Sequence, residues 1–566
     1  MKIRFIIPVI ILATTNCLAQ KSAPKIDPYN YSIEKRVTGR NGAVVTAHPL
    51  ASKVGIAILK KGGNAIDAAI ATQLALAVVY PGAGNIGGGG FLVARLANGK
   101  NINIDFREKA PGKSYRDMYL DSTGAANVLL SQNGHLAAGV PGTVAGLFAA
   151  HKHARLPFKD LIQPAIELAD KGFVITASEA GSLNSARPYF KKTNTVVPVF
   201  VKNDNWKAGD TLIQKDLAKT LMRIRDKGKK GFYEGETANL IVKEMARGKG
   251  IISLADLKNY DAKFREPVVF NYKGYVILTM ALPSSGGILL PQMMKMVEDK
   301  PLREYGFQTL RSVQLMAEVE RRAYADRAKF LGDPDFYKVP VKTLISAAYI
   351  KERMKDYDST KAGTSKEING GIIPESEETT HLSIFDKDGN AVAVTTTLNG
   401  GYGSGTVVGG AGFLLNNEMD DFSVKPGVPN MYGAVGGDAN AVVPGKRMLS
   451  SMTPTIVLKN NKPFLVVGTP GGTTITTSVF QSLINVLEFD MSASDAVNKP
   501  KFHHQWLPDT IYIESDFPSG LAAELKKLGY KITNYGRIGR TELIKIVDGT
   551  FDAVADKRGD DHAEGY

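Results

Sequence analysis

The sequence predicts a mixed α/β (α+β) protein whose strands are covered by helices on both sides. Three observations point there. Of 566 residues, 43% are hydrophobic and 22% charged, the balance of a globular chain rather than of a disordered one or a coiled coil. From about 155 to 350 the apolar spacing is mostly helical, as in LIQPAIELADKG and VQLMAEVERRAYADRAKFL. After 378 it turns to alternation, with THLSIF, a DKDGN turn and then AVAVTTTL.

The first residues read as an export signal. MKIRFIIPVIILATTNCLAQ carries Lys2 and Arg4, an apolar run from Phe5 to Ala13 and a polar end, with cleavage expected after Ala19. Cys17 is the only cysteine, which excludes a disulfide framework and a Cys-based zinc site. A lipid anchor through Cys17 is the alternative, but Thr14-Thr15-Asn16 lacks the usual small residue before the cysteine. No later run reaches the ~18 apolar residues of a membrane helix, so periplasmic or secreted protein is expected.

Along the remaining chain, residues 20–41 are polar and read as a loose arm. A helix is expected over 51–61, with Ser52 as N-cap and Gly62-Gly63 as its stop. An Ala-rich helix follows over 67–79. Strands are expected at 91–95, 102–106, 412–415, 455–458 and 464–467. Residues 357–378 are polar, Gly-containing and aperiodic; so long a connection inside a compact protein is either functional or disordered.

The net charge of +14 is scattered in short clusters such as KKGG at 60–63 and KGKK at 227–230. This is solvated surface, and no nucleic-acid partner is expected. GAGNIG at 82–87 fits GxGxxG, with Asp105 near the distance of a ribose contact. Its context is reversed, because a helix precedes it and a strand follows, so no dinucleotide cofactor is expected. His503-His504 and His151-x-His153 lack HExxH spacing, so no metal is expected either.

Residue 379 stands at the boundary between the long loop and the first alternating strand. If Asp388-Gly389 forms a two-residue turn, Thr379 falls opposite Leu398, between Thr397 and Asn399. A threonine then meets a second hydroxyl and an amide. On these residues alone an ordinary hairpin remains the simpler reading.

TTHLSIFDKDGNAVAVTTTLN, LLNNEMDDFSVKPGVPNMYGAVGGDANAV, RMLSSMTPTIV and GTPGG resemble the gamma-glutamyltransferase family of N-terminal nucleophile hydrolases. So do AHPLASKVGIAILKKGGNAIDAAIA, NIGGGGFL, DFREKAP, PSSGG, FHHQWLPD and the closing GY, in one order over nearly all of the chain after the leader. The resemblance implies a four-layer αββα sandwich formed jointly by two chains from one precursor. It implies self-cleavage between Glu378 and Thr379, giving a large subunit 20–378 and a small subunit 379–566 that remain a heterodimer. The freed α-amine of Thr379, with a pKa of about 7.7–8.0, serves as base for its own hydroxyl. Thr379 then carries a γ-glutamyl group from glutathione or a similar small molecule to water or to an amino acid or peptide amine.

The resemblance also assigns a site. Arg107, helped by Ser450 and Ser451, takes the substrate α-carboxylate; its bland fate is an ion pair with Asp105 or Glu108. Asn399, Glu418 and Asp421 take the α-ammonium, although Asp420-Asp421 also suits a turn or helix cap. Gly471 and Gly472 donate to the oxyanion, or are a plain glycine turn. Thr397 bonds Thr379 and assists self-cleavage, or is a strand threonine. Tyr432 belongs to a lid loop, which favours glutathione-type enzymes over poly-γ-glutamate depolymerases with an open groove. A cephalosporin acylase and a catalytically dead binding protein are the other readings.

Overall fold

The computed structural model describes residues 26–366 and 379–566. The leader with Cys17 and residue Glu378 lie outside the described residues. Two seven-stranded sheets dominate. Sheet I runs, in spatial order, Arg36–Gly39, Thr550–Val554, Glu542–Val547, Lys462–Gly468, Thr455–Lys459, Tyr275–Thr279 and Val268–Tyr272. Sheet II runs His562–Gly565, Gly42–Thr46, Thr380–Asp386, Ala391–Thr397, Gly89–Arg95, Asn101–Asp105 and Lys263–Arg265. Every named pairing in both is antiparallel.

The sheets face each other across a core that includes Val45, Phe91, Phe385, Ala393, Ile456, Val466 and Ile544. Helices Pro49–Lys60 and Ala65–Val79 cover sheet II, with Phe158–Lys171 packed on Ala65–Val79, and Gly286–Glu298 and Thr474–Leu487 cover sheet I, with Leu310–Phe330 packed on Gly286–Glu298. This is the expected four-layer αββα sandwich. All seven residues of Thr380–Asp386 are buried, because both faces of the strand are covered. Its period of two sends Leu382 and Ile384 to the helices and Phe385 to the other sheet. Thr379 shares the parity of Phe385, so it faces the gap between the sheets.

Several boundaries differ from expectation, each for a local reason. The first helix begins at Pro49, with the His48 ring accepting from Leu50 N at 3.1 Å; Ser52 lies inside it, where its Oγ donates to His562 O at 3.0 Å. The second starts at Ala65, because Asn64 and Asp67 form a capping box. Part of the expected loose arm is edge strand Arg36–Gly39. The stretch read as mostly helical contains the hairpin Val268–Tyr272/Tyr275–Thr279 around Lys273-Gly274, at φ 42° and 86°. Residues 412–415 form no strand, only a bridge between Val407 and Leu414.

The central hairpin is also one residue out of the expected register. Thr380 pairs with Thr396 and Phe385 with Ala391, so Lys387-Asp388-Gly389 is a three-residue loop closed by Gly389 at φ 90°. Asp386 explains it. Its carboxylate accepts from Asp388 N, Asn390 N and Asn390 Nδ2 at 3.0, 2.9 and 2.7 Å, and from Ala65 N at 2.8 Å. Extending the pairing places Thr379 opposite Thr397 rather than Leu398.

The glycine cluster after residue 82 is a packing device. Asn85 Nδ2 donates to Thr397 O at 2.9 Å, and Gly88 N donates to Asn85 Oδ1 at 3.0 Å. A Cβ on Gly88 would stand 2.1 Å from Thr397 O. Gly88→Ala is therefore expected to lower unfolding stability by about 1–3 kcal/mol. Gly520→Ala, where a Cβ meets nothing within 4 Å, serves as the contrast. Urea midpoints check this, and equal midpoints for the parent and Gly88→Ala would contradict it.

Candidate active site

Thr379 and Thr397 end neighbouring strands at one mouth of the gap between the sheets. Their hydroxyl oxygens lie 3.4 Å apart and both residues are buried. Asn399 N donates to Thr397 Oγ1 at 2.7 Å. That bond needs Asn399 in the left-handed region at φ 75°, which asparagine tolerates better than most residues. Asn399 Nδ2 in turn donates to Asn417 O at 3.0 Å, tying it to the segment that carries Glu418 and Asp421.

From sheet I, strand Lys462–Gly468 ends in the GTPGG turn, which leads into helix Thr474–Leu487. Gly471 and Gly472 hold φ 134° and 52°, backbone that a side chain strains. A Cβ on Gly472 would stand 2.6 Å from the Tyr432 ring. The turn thus places backbone at a helix N-terminus, where N–H groups lack helical partners.

Arg107 is 1% exposed, not on the surface. Its Nη1 lies 2.5 Å from Glu418 Oε2 and 3.4 Å from Glu108 Oε2, and its Nη2 pairs with Asp421. Nε and Nη2 also donate to Met448 O and Leu449 O at 3.4 and 3.3 Å. Burial opposes its charge, but the three carboxylates hold it firmly protonated. Burial pushes the Glu108, Glu418 and Asp421 carboxyls up, against the pull of Arg107. Asp105 takes no part in that ring; it accepts from Arg107 N at 3.0 Å and pairs with Arg265 and Arg447.

Two further elements close the cavity. Ser450 is fixed by Ser450 N to Pro283 O, 2.9 Å, and Ser285 N to Ser450 O, 2.7 Å; both partners lie in PSSGG. The loop 428–435 lies over the other side. Tyr432 OH bonds Asn399 O, Asn430 Nδ2 donates to Asp421 Oδ1 at 2.9 Å, and Met431 N donates to Asp420 Oδ2 at 2.7 Å. Thr379, Thr397, Asn399, Glu418, Asp421, Tyr432, Ser450, Ser451, Arg107 and Gly472 line one cavity of about 20 Å³, room for a single water. Gly471 instead lines a second cavity of about 250 Å³, which Thr379 also borders.

The same cavity wall includes residues that no pattern in the sequence marked. Arg327, buried on the long helix Leu310–Phe330, reaches Ser285 Oγ and Ser451 Oγ at 3.3 Å. Asn430 joins the lid to Asp421. No spacing announces either, because the partners of Arg327 lie 42 and 124 residues away in sequence and Asn430 sits in an irregular loop.

Three buried histidines are hydrogen-bonded within the fold. His503 contacts Thr477 Oγ1 and Gln505 Oε1 at 2.8 and 2.9 Å, and His504 Nδ1 accepts from Trp506 N at 3.0 Å. Burial pulls them down to about 3 and 4, so both are neutral. His381, two residues after Thr379, contacts Thr395 Oγ1 and Ser383 Oγ at 2.8 and 3.1 Å, and burial lowers it to about 3.

A threonine heading a central strand of an antiparallel αββα sandwich, beside a glycine turn and a charged cavity, defines the class of N-terminal nucleophile hydrolases. The comparisons narrow it. The profile of the gamma-glutamyltranspeptidase family matches residues 51–566, and the chain belongs to that family of enzymes. It is 44% identical to a glutathione hydrolase proenzyme of Escherichia coli over 98% of both chains. It is 46% identical to a glutathione hydrolase proenzyme of Pseudomonas aeruginosa over 92% of this chain and 93% of that one. The crystal structure of a cephalosporin acylase from Bacillus halodurans superposes with a TM-score of 0.81 at 26% identity, covering 96% of this chain and all of the other. Gamma-glutamyltranspeptidase of Helicobacter pylori superposes with a TM-score of 0.56 at 45% identity over 60% of this chain and 96% of its own.

Asp420 supplies a pH test. Burial raises its carboxyl to about 7, against donors that include Ser131 Oγ and Met431 N. A carboxyl raised in the folded state contributes stability below its unfolded value of ~4, and that contribution is lost as pH rises toward the folded value. Relative to the parent, Asp420→Asn should therefore gain unfolding stability between about pH 4 and 7. Urea midpoints at pH 4.5 and 7.5 check it; no relative gain would contradict the assignment.

Proposed function

We propose that the chain is an exported glutathione hydrolase and γ-glutamyltransferase, made as a precursor and activated by cleavage between Glu378 and Thr379. The observation that carries it is Thr379 at the head of the central strand, opposite Thr397 and bordering the Arg107 cavity. In the precursor the Thr379 hydroxyl attacks the Glu378 carbonyl carbon. The acyl group moves from nitrogen to oxygen, and water hydrolyses the ester to leave a free α-amine and a free hydroxyl. Thr397, itself held by Asn399 N, orients the hydroxyl. The products are 379–566 and a larger chain that starts after Ala19 once the leader is removed.

In the mature enzyme the α-amine of Thr379 takes its hydroxyl proton as Oγ attacks the γ-carbonyl carbon. The Gly471 and Gly472 N–H groups stabilise the oxyanion; such donors contribute ~3 kcal/mol each. The proton passes to the leaving amine, the C–N bond breaks and a γ-glutamyl ester remains. Water or an acceptor amine then attacks that ester, its proton goes to the Thr379 amine, and Oγ leaves as the hydroxyl.

The α-amino acid end of the donor enters the Arg107 cavity. A guanidinium pairs a carboxylate through two parallel bonds, with Ser450 and Ser451 beside it, while Glu418, Asp421 and Asn399 accept from the ammonium. Space for one water in the described residues means that the Tyr432 loop lifts to admit it. The acylase reading fits less well, because a glutaryl group has no ammonium to meet Glu418 and Asp421. Among the described residues no helix is long and apolar enough to cross a membrane, and the signal sequence supports release to the periplasm or medium.

Purified parent should give two bands on a denaturing gel, the smaller beginning Thr-Thr-His by Edman sequencing, and Thr379→Ala a single band. A parent that stays one chain yet turns over γ-glutamyl-p-nitroanilide would refute the mechanism. Arg107→Lys keeps the charge but loses the fork, and should raise KM for γ-glutamyl donors about 10- to 100-fold. Steady-state kinetics check it, and an unchanged KM would remove Arg107 from donor binding.

A further inference from the structure

One face of the helix Leu310–Phe330 is turned to the site. Tyr324 OH donates to Thr473 O, beside the turn that carries Gly471 and Gly472. Three residues on, and so on the same face, Arg327 Nε donates to Ser285 Oγ and Nη2 to Ser451 Oγ, both at 3.3 Å. Ala328 O accepts from Gly437 N at 3.1 Å, just beyond the loop 428–435. Arg327 lines the same cavity as Arg107, Ser450 and Ser451 but takes no step in the mechanism.

The two arginines of this cavity are held differently. Arg107 is ringed by Glu108, Glu418 and Asp421. Arg327 is 7% exposed, and its hydrogen bonds to side chains go to two neutral hydroxyls. Burial pulls its pKa down from the usual arginine value, with Tyr324 and Asp421 pulling the other way. A guanidinium stays charged even so.

A serine hydroxyl carries one proton and two lone pairs. Where its oxygen accepts from a fixed N–H, the proton turns away from that donor. Ser450 Oγ accepts from Met452 N at 3.2 Å, as Ser451 Oγ accepts from Arg327. The Ser451 backbone is clamped as well, since Thr453 Oγ1 and Thr476 Oγ1 donate to its carbonyl at 2.7 and 3.2 Å. Both serines line the cavity, so both protons are left for what enters it. Two such donors beside a guanidinium suit an ionised carboxylate, which has only acceptors to offer.

We propose that Arg327 is a positioning residue for the donor's α-carboxylate, acting through Ser451 by taking the acceptor side of its hydroxyl and leaving the proton to the ligand. The inference rests on the reading of the Arg107 cavity as the place of the α-amino acid end. One helix then sets both halves of the site, the carboxylate donors through Arg327 and the glycine turn through Tyr324.

The test is a double-substitution cycle on the processed enzyme with γ-glutamyl-p-nitroanilide as donor. Arg327→Met should raise the donor KM about tenfold, the span of one hydrogen bond to a charged group, and change kcat less than about twofold. Ser451→Ala should do the same. The double variant should also stand about tenfold above the parent rather than about a hundredfold, because both substitutions remove one shared interaction. Arg327→Lys should lie between parent and Arg327→Met; it takes the place of Arg327→Met in the cycle if that variant does not fold, and any rise it causes should vanish beside Ser451→Ala. 4-Aminobutyryl-p-nitroanilide, the same donor without the α-carboxylate, should show equal KM with the parent and with Arg327→Met. An unchanged KM for γ-glutamyl-p-nitroanilide in Arg327→Met, or a double variant near the product of the two single effects, overturns the proposal. So does an equal loss on both donors, which a purely structural role would give. If Arg107→Lys also leaves KM unchanged, the reading of the cavity falls instead.

Discussion

The register of one hairpin decides whether this molecule has an active site. With Asp386 gathering four donors around a three-residue loop, Thr379 stands opposite Thr397 and shares its face. A slip by one residue would turn every side chain of the strand to its other face. Thr379 would then point into the helix layer, while Leu382 and Ile384 would be forced between the sheets. Two devices hold the register: the Asp386 turn at one end, and at the other the Asn85 amide on Thr397 O, reached across glycines that have no room for a Cβ. The GxGxxG run lies there because backbone must approach backbone.

Around that register lies a buried cluster in which acids outnumber bases. Arg107 is buried with three carboxylates around one guanidinium. Isolated burial of so many acids is costly, which is why their carboxyls are pushed up. A bound ammonium would add the missing positive charge, and a bound carboxylate would engage the fork. Arg327 adds a further cation to this wall, bonded to the Ser285 and Ser451 hydroxyls at 3.3 Å. On the proposed reading an amino acid end would complete this cavity, whose lid residues Asn430 and Tyr432 bond Asp421 and Asn399.

How much was legible in sequence follows from range. Alternation in THLSIF and AVAVTTTL, and Ala-rich propensity over 67–79, are local, and the elements are where they were expected. The hairpin around Lys273-Gly274 was not read, although VVFNYKGYVIL alternates, because helical periodicity dominates its surroundings. The Asp388-Gly389 signal was read correctly as a turn but with the wrong length, since Asp386 bonding and the αL glycine lengthen it by one. The site residues became visible through family resemblance, and the geometry gathers Arg107, Asn399, Glu418, Asp421, Tyr432 and Ser450-Ser451 in one cavity. Arg327 had no local sign; its place beside Ser285 and Ser451 appears only in three dimensions.

A cut before Thr379 would fall in the middle of the chain, yet the fold is built to survive it. Sheet II interleaves Gly42–Thr46, Gly89–Arg95 and Asn101–Asp105 from one side of the boundary with Thr380–Asp386, Ala391–Thr397 and His562–Gly565 from the other. Sheet I mixes Tyr275–Thr279 with Thr455–Lys459 in the same way. Neither segment owns a complete sheet, and the core between the sheets draws on both. Separating them would break ladders on both sides of Thr380–Asp386 and expose that core, so association needs no peptide link. The one freedom a cut supplies is the α-amine of Thr379, at a point where the chain already leaves the sheet. The sandwich thus carries the stability without the bond that precedes Thr379.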